Sequence, residues 1–243
     1  DNTTQANVSG TKFKVTGAGE KSTSTASNGS YSLSDINGVY NEFVGDSLYL
    51  TNTAINDTIN SNKIKNGVLI PRTQIVNGET ITNNAYEITQ ITGIIGFVGK
   101  NRTLWDISSN PSAPQKKVQL NGWTPAESTI IWQYLNDIET KDNNRDWFVY
   151  GAVTPGTTEG IVIEKNSSNY TQFEYQSQHI FNAIIYLSDT NELITKHELF
   201  HGLGFGSHVY FPSCMNDSMN YLPTNKDISY LDNIYNWNLS TQN

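Results

Sequence analysis

The sequence predicts an α+β fold, and three observations carry that prediction. Short apolar runs separated by Asn and Gly fill the first half and recur between residues 146 and 188, the punctuation of β-strands. Residues 130–138 and 228–235 instead space their apolar side chains three and four apart, the period of an α-helix. Strands and helices also come in blocks: a helix, several strands, a second helix and a short third one, rather than strict βαβ alternation. At 243 residues, 36% hydrophobic and 11% aromatic, the chain can bury one sizeable core, or one core with a small appendage.

Taken in order, residues 1–30 are polar and low in complexity and read as an N-terminal tail or linker. Residues 31–117 form a β-rich region of unassigned role, with strand-like runs at SLYLT, GVLIP and ITGIIGFVG. It closes on the loop NPSAPQKK, a possible junction between subdomains. Thr124, Pro125 and Glu127 then give an N-cap, a proline at the first helical position and a capping box. The helix they open has Ile130, Ile131, Tyr134, Leu135 and Ile138 on one face. Strands are expected at DWFVYGAV, GIVIE, TQFEY and FNAIIYLS. A second helix should start near Thr190, and a third should cover residues 227–237, given Ile228, Leu231, Ile234 and Tyr235.

The net charge of −8 excludes a nucleic-acid partner, because no basic stripe exists to displace counterions from phosphates. Apolar runs are too short to cross a bilayer, so no transmembrane segment is expected. The lone Cys214 forbids an intrachain disulfide. Low charge content and abundant Asn, Thr, Ser and Tyr suggest a secreted or cell-surface protein.

The chemistry concentrates in HELFHGLGFGSH, residues 197–208. His197 and His201 lie four apart, so on a helix both imidazoles leave one face a turn apart, where two nitrogens can meet one Zn²⁺. Glu198, about 100° around the helix, is placed to hold the water that zinc activates rather than to bind the metal. Only four histidines exist in the chain, and three of them fall in this stretch. A catalytic zinc usually needs a third protein ligand. No glutamate follows Glu198, which leaves His208, Asp217, Asp227, Asp232 and Cys214 as candidates. A thiolate at Cys214 could bind zinc, but a buried free cysteine is the plainer reading. The fourth histidine, His179, precedes a strand and reads as structural or groove-lining.

HELFHGLGFGSH resembles the elongated zinc motif of the metzincin metallopeptidases, H-E-x-x-H-x-x-G-x-x-H, with His197, Glu198, His201 and Gly204 on its positions. Gly204 would stop the helix and let the chain swing back toward the metal. Downstream, DSMNYLP is similar to the family's methionine-containing turn, with Met219 and Tyr221 matching M-x-Y; Met215 is a weaker match because no tyrosine follows it suitably. The resemblance spans residues 181–237. It departs at the third ligand: Ser207 occupies the usual position and His208 comes one residue late, which calls for a longer loop, most easily made by Gly206. HGLGF is also similar to the leishmanolysin-like branch, whose third ligand follows an insertion; here that route would need an aspartate.

The resemblance implies a zincin-like catalytic domain over residues 118–243: a mixed twisted sheet with the active-site helix in an upper subdomain (118–204), and a small lower subdomain (205–243). It implies Zn²⁺ on His197, His201 and His208, Glu198 as general base, Met219 packing beneath the metal, and Tyr221 donating to the oxyanion. The alternative for Tyr221 is an ordinary packed tyrosine. The expected activity is a zinc-dependent endopeptidase holding a peptide or protein substrate along a sheet edge. The alternatives are a non-catalytic zinc-binding or adhesive surface protein on the same fold, and a zinc amidase acting on non-peptide bonds.

Overall fold

A row of fully buried side chains, Ala183, Ile161 and Val118, runs side by side across three adjacent strands and marks the centre of the molecule. The computed structural model describes residues 9–34, 38–44, 52–59, 70–84, 87–88, 104–107, 109–110, 113–176 and 179–241. Its central sheet has five strands: β7 (Lys116–Asn121), β8 (Phe148–Tyr150), β9 (Gly160–Lys165), β10 (Tyr170–Gln176) and β11 (His179–Leu187). The spatial order is β10-β11-β9-β7-β8. β8, β7, β9 and β11 are parallel, and β10 runs antiparallel at one edge. β9 lies in the middle, and its unbroken GIVI run is buried on both faces, as an interior parallel strand requires.

Helix α1 (Pro125–Lys141) starts where the capping box predicts, with Thr124 and Glu127 bonded reciprocally. It turns Ile131, Leu135 and Ile138 into the core, each worth about 1.5–3 kcal/mol of burial. Helix α2 (Glu192–Gly202) is capped by Asn191, whose side chain accepts from Ile194 N–H. Buried Lys196 of α2 pairs with Asp137 of α1 at 2.8 Å, tying the two helices together. Helix α3 (Asn225–Thr241) buries Ile228, Leu231, Ile234 and Tyr235, the face expected from its spacing. Among the described residues, no helix is long and apolar enough to cross a membrane.

Three sequence expectations need correction or fall outside these residues. Residues 1–30 are not simply a tail, because β1 (Lys12–Gly17) and β2 (Lys21–Ser24) pair within them. The alternation in KFKV turns Phe13 and Val15 to one buried face, where Phe13 stacks on Tyr31 with ring centroids 4.3 Å apart. With β3 (Gly38–Val44) and β4 (Asn52–Ile59) they form a four-stranded sheet, order β2-β1-β3-β4. The loop NPSAPQKK also ends early: Lys116 opens β7, its buried ammonium donating to Asp106 O at 2.8 Å and pairing with Glu159 at 2.5 Å. SLYLT, ITGIIGFVG and most of GVLIP lie outside the described residues.

Part of the region without an assigned role joins the main core. Ile70, Val76, Ile81, Ile88, Leu104, Trp105 and Ile107 pack in one cluster with the central sheet and all three helices. The hairpin β5 (Thr73–Val76) and β6 (Glu79–Thr82) turns at Asn77-Gly78, both at positive φ. It lies against α3 through buried amides: Asn83 and Asn233 both donate to Gln74, and Ser229 donates to Asn83. Phe13 and Val15 form a cluster of their own.

Candidate metal centre

The last turn of α2 sets the geometry. The helix ends at Gly202, and Gly204 takes φ 102°, with its N–H returning to His201 O at 2.7 Å. Only glycine fits there: a Cβ would lie 2.5 Å from Leu104 Cδ2. The helix end is braced from two sides. The Trp105 indole donates to Gly202 O at 2.8 Å, and the Tyr235 hydroxyl donates to Leu203 O at 2.6 Å. Neither residue is adjacent to the motif in sequence, and nothing in the motif signals them.

After Gly204 the chain returns toward α2 and then runs beside residues 215–216. Val209 N–H donates to Met215 O at 2.9 Å, and Val209 forms a parallel bridge with Asn216. Positive φ in the returning loop falls at Gly204, not at Gly206, so the extra residue is absorbed without left-handed backbone at 206.

This brings His197, His201 and His208 together, with ligand atoms all within 4.8 Å of one another. His208 Nε2 lies 3.1 Å from Nε2 of both His197 and His201. Each opposite ring nitrogen faces an acceptor. His197 Nδ1 lies 2.6 Å from Cys214 O, His201 Nδ1 lies 2.6 Å from Phe205 O, and His208 Nδ1 lies 2.7 Å from Asp217 Oδ1. A carbonyl or carboxylate can only accept, so each Nδ1 carries a proton, which leaves Nε2 as the nitrogen available to a metal. Burial pushes His197 and His201 below the usual imidazole range, His201 to about 4, which keeps both neutral near pH 7. Tetrahedral ligands at about 2.0–2.1 Å from a metal stand roughly 3.3–3.4 Å apart, near the two 3.1 Å separations from His208. The donor set fits a metal ion.

The other candidate ligands are engaged elsewhere. Asp217 grips the far nitrogen of His208. Asp227 is buried in a capping arrangement with Thr224 and accepts from Ser213 Oγ at 2.5 Å. Asp232 accepts from Arg145 at 3.2 Å. The Cys214 thiol is fully buried, and burial raises its pKa well above the ordinary range, so it stays protonated. It is the Cys214 carbonyl that serves the site. His179 is partly buried at the start of β11.

Glu198 is buried beside the histidines, and burial raises its carboxyl above the usual range. Its Oε2 accepts a 2.7 Å hydrogen bond from Thr171 Oγ1 on the edge strand β10, which counters part of that rise. Thr171 carries no motif signal; only the pairing of β10 against β11 reveals it.

The methionines divide differently from the M-x-Y pattern. Met215 is fully buried in the core, and its backbone adjoins Cys214 and receives Val209. Met219 is only partly buried and sits at φ 50°. Tyr221 is 39% exposed, outside the buried core. No protein-family model, curated protein or solved structure matches this chain.

Proposed function

We propose that the chain is a zinc-dependent endopeptidase of metzincin type, with His197, His201 and His208 as ligands and Glu198 as general base. One observation carries this reading: three imidazoles converge through Nε2 while a buried carboxylate lies one residue from the first of them. A purely structural zinc site is normally closed by four protein ligands, whereas three leave a position open. When bound, Zn²⁺ supplies Lewis acidity, polarising a carbonyl and lowering the pKa of water toward about 7.

The chain's own groups do the rest. Glu198 takes the proton of the attacking water and returns it to the leaving amine. Its raised affinity for protons, which comes from burial, suits both transfers. Thr171 holds the carboxylate in place. Among the described residues β10 pairs only with β11, so its outer edge would offer main-chain donors and acceptors to an extended peptide next to Glu198. Met215 is the methionine packed in the core beside the segment that holds His197, and it would brace that ligand when the metal is bound. Tyr221, 39% exposed, would be the donor to the oxyanion.

The test is metal analysis of the purified protein together with cleavage of a denatured protein, with and without chelator. Stoichiometric zinc, chelator-sensitive cleavage, and an E198A variant that keeps zinc but not activity are expected. Zinc without cleavage of any protein or peptide would shift the reading to a non-catalytic zinc protein.

A further inference from the structure

We infer that Asp217 is the positioning residue of the third metal ligand: it fixes the tautomer and direction of His208 and adds a carboxylate where backbone carbonyls hold the other two rings. The inference rests on the metal reading above and concerns how the site is tuned.

The three histidines are not held alike. His197 and His201 project from a helix, and backbone carbonyls hold their Nδ1 atoms. His208 lies on the lengthened loop, its side chain 42% exposed, and its Nδ1 meets a carboxylate 2.7 Å away. A solvent-facing ring on a loop has rotamers to choose from, and only one directs Nε2 at the other two nitrogens. Metal-bound histidines ordinarily gain that orientation, and greater donor strength, from a partner on the second nitrogen.

Asp217 stands on a built turn. Asn216 Oδ1 accepts from Ser218 N–H at 3.0 Å and from Ser218 Oγ, Met219 N–H donates to Asn216 O at 2.8 Å, and the Asn216 amide donates to Phe211 O at 3.2 Å. The Val209–Asn216 bridge sets this turn beside the backbone that follows His208. Geometry also decides against Asp217 as a ligand in its own right. Its oxygen faces Nδ1, while Nε2 on the other side of the same ring faces His197 and His201.

Exposure gives the discriminating consequence. Asp217 is 51% exposed, and exposed ion pairs contribute little to folding. Its removal should therefore weaken metal binding while leaving the metal-free fold as stable as before.

Zinc affinity would be measured by competition with a chromogenic chelator for the wild type, D217A, D217N and H208A, alongside urea unfolding of each metal-free protein. D217A should bind zinc about 10- to 100-fold more weakly, with an unchanged unfolding midpoint. D217N, which keeps an acceptor but loses the charge, should fall between D217A and wild type. H208A should lose more than either. Cobalt-loaded D217N should keep the wild-type d–d band positions, since the three nitrogens remain ligands. Affinity of D217A within about twofold of wild type, while H208A is impaired, overturns the inference. So does an H208A protein that binds like wild type, or a D217A unfolding midpoint that falls in parallel with affinity. Absence of zinc binding by the wild type would sink the metal reading itself, and this inference with it.

Discussion

The Thr171 hydroxyl donates to Glu198 Oε2 at 2.7 Å and lies 3.2 Å from the backbone carbonyl of the same residue, joining the sheet edge to the metal helix. A hydrogen bond to a charged group is worth about 1.5–3 kcal/mol, so its loss should cost roughly 10-fold or more in turnover. T171V should lower kcat by that factor with KM and bound zinc unchanged, and T171S should restore it. Equal kcat in T171V and wild type would show that Glu198 needs no such anchor.

Gly204 combines φ 102° with a neighbour only 2.5 Å from where a Cβ would lie. G204A should destabilise the protein by about 2–3 kcal/mol in urea unfolding. Adding L104A removes the clash but not the backbone strain, and opens a cavity of its own. The double variant should therefore fall short of the sum of the two single losses without regaining wild-type stability.

A pH response is expected far from the metal, where Asp142 of the α1 C-cap meets Asp232 of α3 with Arg145 between them. Burial first, and then the charge of Asp232, lift Asp142 to about 8. In the unfolded chain it ionises near pH 4. The folded state thus holds a proton that the unfolded state releases between about pH 4 and 8, so this group's stabilisation is full below about 4 and declines up to about 8. D142N keeps an acceptor for the Trp147 indole and should flatten that decline. At pH 8 it should unfold at higher urea than wild type; a midpoint gap that does not change between pH 5 and pH 8 would refute the assignment.

Truncation separates the two cores. Among the described residues, a chain beginning at residue 60 lacks only the sheet built on Phe13 and Val15 and the segments beside it, and should keep its zinc affinity. One beginning at residue 89 also loses Ile70, Val76, Ile81, Ile88 and the Gln74–Asn233 bond, which exposes α3. It should unfold or lose zinc. If both truncations behave alike, residues 70–88 are dispensable.

Much of this architecture was legible because local signals agreed. Thr124-Pro125-Ala126-Glu127 specifies a helix start through its own hydrogen bonds, and GIVIE reads as a buried strand from its apolar run alone. His197 and His201 follow from helical spacing, and His208 from the scarcity of other donors. What stayed hidden depends on partners distant in sequence. β1 was masked by lysine and threonine around its two inward side chains, and β7 by a lysine that is buried through its ion pair. The roles of Thr171, Trp105 and Tyr235 exist only once β10, the 104–105 segment and α3 have docked on α2. M-x-Y spacing pointed to Met219, and only the assembled core shows that Met215 is the methionine fully buried in it.

The contacts of Asp227 carry a consequence for timing. From the first turn of α3 its carboxylate holds Ser213, and the next residue, Cys214, offers the carbonyl that orients His197. α3 also closes the far end of the metal helix through Tyr235. During synthesis all three imidazoles leave the ribosome before the helix that aligns them. The three rings are therefore aligned only after α3 has been made and has docked, so metal binding should lag behind synthesis of the motif itself.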